Sequence, residues 1–153
     1  VLRKMEGKAD DIWRRSIAPV RERSREASEL VASASDALAS RDYDRARELI
    51  DKADIWMQGI ETDFREIYSV ARRELRRDYN AEFGSRVWNT EATKHFDTLV
   101  NRTTFVPPEE MRQAAHELSE TKQRLISEKS YTTELEKRAQ ARPSASPSAS
   151  FKP

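Results

Sequence analysis

The side chains best equipped for chemistry in this 153-residue chain are two histidines, His95 and His116, set among 27 acidic and 28 basic residues. A metal or acid–base site needs such groups to converge at a fixed spacing. The two histidines fall on different predicted elements, and Glu117, directly after His116, turns to another face of a helix. No glycine-rich phosphate loop, nucleophile elbow or paired-histidine zinc helix occurs. The inward-facing Glu-x-x-His pairs of di-iron bundles are missing as well. With no cysteine, thiolate metal sites and disulfides are excluded. The expectation is a non-enzymatic protein, with no catalytic, cofactor-binding or metal-binding residues.

Charge offers chemistry of another kind. The net value of +1 and pI of about 8.2 conceal a polarised chain. Residues 1–25 hold eight Lys or Arg against four acids, and residues 65–77 hold five Arg against two acids. Residues 26–64 hold four basic and ten acidic residues. If the two basic segments are neighbours, Arg14, Arg15 and Arg21 stand opposite Arg72, Arg73, Arg76 and Arg77. Such a patch suits an acidic protein surface, the acidic region of another copy, or nucleic-acid phosphates. Trp13 and Trp56 sit on or beside apolar seams and read as packing residues. Trp88, outside any strong periodicity, and Phe151, near the end of the chain, are candidate interface anchors.

Helices must position these groups. From Trp13 the residues Ile17, Val20, Ser24, Ala27, Val31, Ala34 and Leu38 recur at alternating four- and three-residue steps. The same step runs through Ala46, Ile50, Ala53, Met57, Ile60, Phe64, Ile67 and Ala71. Each set is the seam of a long helix built to lie along another. Pro19 interrupts the first seam without shifting its phase, which predicts a kinked but continuous helix. Ser40, Arg41 and Asp42 form the turn, with Asp42 and Asp44 at the positive end of the second helix. Folding the chain there pairs residues whose numbers add to about 84, as antiparallel helices require. Leu38 then faces Ala46, Ala34 faces Ile50, Ala27 faces Met57, Ser24 faces Ile60 and Val20 faces Phe64. Small meets large at most levels, the complementarity that close packing demands.

The string ASDALASRDYDRARELIDKA across this turn resembles the helix-turn-helix junction of tetratricopeptide-type repeats. The resemblance covers one junction, because no 34-residue repeat follows. It implies shared turn chemistry and carries no function with it.

Further along, Gly84 is placed to end the second helix in a left-handed conformation. Gly59, inside it, weakens it slightly and marks the close approach of another helix. Asn89 or Thr90 caps a short helix carrying Ala92, Phe96, Leu99 and Val100. Thr103–Pro108 forms a stiff connector, and Pro108, Glu109 and Glu110 open a third long helix. Its first half, with Met111, Ala114, Leu118 and Leu125, docks on the hairpin over Leu30, Leu49 and Trp56, and its second half projects. Residues 141–153 form a Pro/Ser/Ala-rich flexible tail.

The predicted fold is all-α: a long antiparallel, coiled-coil-like hairpin with a short helix and a third long helix. Residues 1–140 make one elongated three-helix bundle. The expected function is protein–protein interaction, as adaptor, scaffold or structural subunit, self-association included; nucleic acid is the alternative partner. No membrane span is expected, since no run approaches about 20 apolar residues. The missing signal-peptide core and cysteines lean toward the cytoplasm, although the opening Val leaves a processed N-terminus and a delivered effector open.

Overall fold

The computed structural model describes residues 2–84 and 90–140, so Trp88, Asn89, Phe151 and the tail at 141–153 lie outside the described residues. Four helices follow in order: α1 (Leu2–Ala39), α2 (Tyr43–Phe83), α3 (Thr90–Asn101) and α4 (Glu109–Gln140). No strand occurs among the described residues. The fold is an elongated all-α bundle.

The first two helices fold back on each other around a tight turn. Arg41 adopts a left-handed φ of 60°, and the amides of Arg41 and Asp42 bond to the carbonyls of Leu38 and Ala37 at 3.0 and 2.9 Å. Asp42 caps α2, its carboxylate accepting from the Arg45 amide at 3.2 Å. That bond satisfies one of the donors a helix start leaves unpaired. The far end of α2 closes on Gly84 at φ 64°, whose amide donates to the Asn80 carbonyl. α1 runs unbroken through Pro19, which lies on its exposed face.

Antiparallel pairing follows the expected register. Lys4 meets Glu82, Arg15 meets Glu74 and Arg23 meets Asp63 across the two helices. Both seams are buried between them, except that Phe64 and Ile67 are half-buried. Met5, Ala9, Leu75 and Tyr79 extend the core toward the open end. Within α2, Gly59 makes room for a side chain. A Cβ there would lie 3.3 Å from Nη2 of Arg23, so the close approach is by a guanidinium from α1.

α3 and α4 occupy the third layer one after the other. α3 covers the open end, where Tyr79 packs on Phe96 and Arg102 reaches Glu6. α4 then runs parallel to α1: Glu110 lies 3.1 Å from Arg25, and Arg124 donates to Ser35 at 2.8 Å. Leu125 packs against the small cluster of Ala37, Leu38 and Ala46 beside the hairpin turn. The remaining residues of α4 extend past that turn.

The third helix docks on the other side from the one expected. Residues two apart on a helix point about 200° from each other. Arg21 and Arg25 face Glu110 on α4, so Arg23 between them points away from α4. Likewise Asp54 holds Lys122 of α4, while Trp56 turns away and donates from Nε1 to the Arg23 carbonyl at 3.1 Å. Trp56 therefore stays 36% exposed, with the Arg23 guanidinium 5.5 Å above its ring. A cation over an indole face substitutes for the helix that sequence reasoning placed there.

Candidate association surface

The seven arginines singled out in the sequence point in several directions. Arg14 pairs with Asp11 on its own helix at 3.3 Å. Arg15 crosses to Glu74 on α2 at 2.9 Å, and Arg21 lies 3.7 Å from Glu110 on α4. Arg72 reaches Asp97 on α3 at 2.5 Å and covers the Phe96 ring at 5.1 Å. Arg73, Arg76 and Arg77 are exposed on α2, and Arg73 and Arg77 have no ion pair among the described residues. Four of the seven are thus engaged by carboxylates on four different helices.

The titratable groups form local pairs. Tyr79 Oη meets Nδ1 of His95, and burial pushes the phenol above its ordinary pKa. Glu110 is held below the usual carboxylate range, first by its own backbone amide in the opening turn of α4, then by Arg21 and Arg25. Burial opposes that shift. His116 lies 3.2 Å from Glu120, one turn along the helix. Its partner is thus this i,i+4 acid and not the adjacent Glu117, which faces elsewhere. Among the described residues no group of three or more His, Asp or Glu is placed to hold a metal ion. No described helix is long and apolar enough to cross a membrane.

Trp13 organises the junction between α3 and α4. Its indole stacks on Phe105 at 4.7 Å between centroids and meets Phe64 and Tyr68 edge-on at 5.7 and 5.9 Å. Nε1 donates to the Val106 carbonyl at 3.3 Å. The buried Phe105 is what turns the TTFVPP connector into part of the core. A single aromatic inside a proline-bounded hexapeptide was its only sequence signal.

What the bundle leaves uncovered is concentrated on the long helices. Ile55 and Val70 on α2 are 71% and 48% exposed, and Ile126 and Leu135 on α4 are 59% and 45% exposed. Past the hairpin turn, α4 is exposed at residues 129, 130 and 133–140. An open groove of about 800 Å³ runs between α1 and α4, lined by Ser28, Ala32, Ser35, His116 and Arg124 among others. No family model matches this chain, and no curated protein or solved structure matches it either.

Proposed function

We propose that this protein is a non-enzymatic helical association module, an adaptor, scaffold or structural subunit whose work is to hold another protein. The observation that carries the reading is the projecting end of α4. Leu125 is the last residue of α4 seated in a core cluster, and the helix continues to Gln140. Those fifteen further residues span about 22 Å at the α-helical rise. An isolated helix of that length is marginal in water, and this one holds Ile126 and Leu135 in solvent. The two are nine residues apart and so lie on opposite faces of the helix; a partner along either face would bury one of them and supply a missing neighbour. The nucleic-acid alternative has less support, because most of the arginines it needs are occupied by carboxylates.

A photo-crosslinking residue at Leu135 of the full chain tests the reading. Trapping of a protein that survives nuclease treatment is expected. If nothing is trapped and the chain remains a monomer at every concentration, the association reading fails. Binding of labelled duplex DNA or RNA that disappears in Arg73→Ala/Arg77→Ala would transfer the function to the alternative.

A further inference from the structure

The outer face of α2 carries an ordered series of exposed residues. Asp44, Glu48, Asp51 and Ile55 recur at four–three steps near the turn, and Thr62, Glu66, Ser69 and Arg73 continue the same face, with Val70 and Arg77 beside it. All ten are exposed. The half near the turn is acidic and the far half is basic. Asp44, Asp51, Arg73 and Arg77 have no ion pair among the described residues, and Glu48 has only its helical neighbours Arg45 and Lys52, at 3.6 and 3.9 Å. The two most exposed large apolar residues of α2, Ile55 and Val70, lie in opposite halves.

These residues share one midpoint. Asp51 and Arg73 are centred on Thr62, while Glu48 with Arg77 and Ile55 with Val70 are centred between Thr62 and Asp63. A two-fold axis through that point sets a second α2 antiparallel to the first. It places Asp51 opposite Arg73 of the second copy, Glu48 opposite its Arg77 and Ile55 opposite its Val70, each contact occurring twice. Lys52 is the one like-charged neighbour of Arg73 in this arrangement, and it is already drawn to Glu48. Charge and apolar exposure are independent properties, and both select the same centre.

We infer that the outer face of α2 is a self-complementary docking surface for a second copy of this chain, antiparallel about Thr62. The inference rests on the association reading and names its partner. Because exposed pairs are individually weak and screened by salt, the dimer is modest and salt-dependent.

Light scattering of the full chain from about 10 µM to about 1 mM, the range of weak self-association, tests it. At low salt the mass should rise toward the dimer, and roughly 0.5 M salt should weaken dimerisation by about tenfold or more. Arg73→Glu/Arg77→Glu and Glu48→Arg/Asp51→Arg should each be monomeric with unchanged helicity, since all four side chains are exposed. Mixed together, the two variants should form a heterodimer, because every reversed charge again meets its opposite. A wild type that stays monomeric at low salt overturns the inference, as do variants that dimerise alone or a mixture that does not associate. If the chain is monomeric while the Leu135 crosslinker captures a different protein, this inference fails alone and the association reading stands.

Discussion

Ser24 occupies a core position between Val20 and Ala27 with none of its surface exposed, and its Oγ has no hydrogen-bond partner. A buried hydroxyl left unpaired costs about 1–3 kcal/mol relative to a satisfied one. Ser24→Ala removes that cost and also raises helix propensity by about 0.5 kcal/mol. Against this stands the small void left by one oxygen atom, a few tenths of a kcal/mol by the cavity relation (about 24 cal/mol per Å³). The net expectation is a stabilisation of about 1–3 kcal/mol, or an increase in Tm of about 3–12 °C for a bundle this size. Ser33→Ala, on the exposed face of the same helix, isolates the propensity contribution and should add only about 0.5 kcal/mol. Urea titration followed by helical circular dichroism gives both values, with the m-value as a check that the unfolded state is unchanged. If Ser24→Ala gains no more than Ser33→Ala, or loses stability, the hydroxyl has a partner in solution and the argument from an unpaired oxygen is refuted.

Two further perturbations probe the remaining cores and charges. Trp13→Ala should cost about 3–5 kcal/mol, because it empties the junction of Phe64, Tyr68, Phe105 and the connector. Trp13→Phe should cost about 2 kcal/mol, the Nε1 hydrogen bond to Val106 plus the void left by the smaller ring; equal losses in the two variants would contradict the aromatic node. Glu110 has a depressed native pKa, so its contribution to stability is present above the ordinary carboxylate range and is lost as pH falls through the native value. The stability gap between wild type and Glu110→Gln should therefore close in acid, read from urea titrations between about pH 7 and about pH 3. A constant gap would mean that Glu110 contributes nothing through its charge.

The hairpin was legible because its determinants are periodic. Val20, Ile60 and their neighbours recur at a spacing that only a helix–helix seam explains, and folding the chain at the turn sets numbers adding to about 84 opposite each other, close to the 86 of Arg23–Asp63 and Lys4–Glu82. The left-handed Gly84 was legible for a local reason, since glycine is the residue type that this backbone conformation selects, and Asp42 and Asp44 marked the positive start of α2. The side on which α4 docks was not. Leu30, Leu49 and Trp56 look like a surface awaiting a helix, and nothing in the spacing shows that Arg23 will cover Trp56 instead. The directions of the seven arginines were not legible for a related reason. Counting charges along two segments ignores direction around the helix: Arg15 and Arg21, from one counted segment, reach α2 and α4, and Arg72, from the other, reaches α3. His116 and Glu120 were within reach of the sequence, since a four-residue step suffices to bring them together.

Two short lids in series, rather than one long one, close over the spine formed by α1 and α2. The lids touch the spine through different side chains, Tyr79 and Phe96 under α3, Ala114 and Leu118 under α4. One indole sits at the place where they meet. A load applied to the overhanging tip of α4 can thus peel that lid alone, leaving the opposite extremity closed. Anything that must be communicated from tip to tip has to travel along the spine or through Trp13.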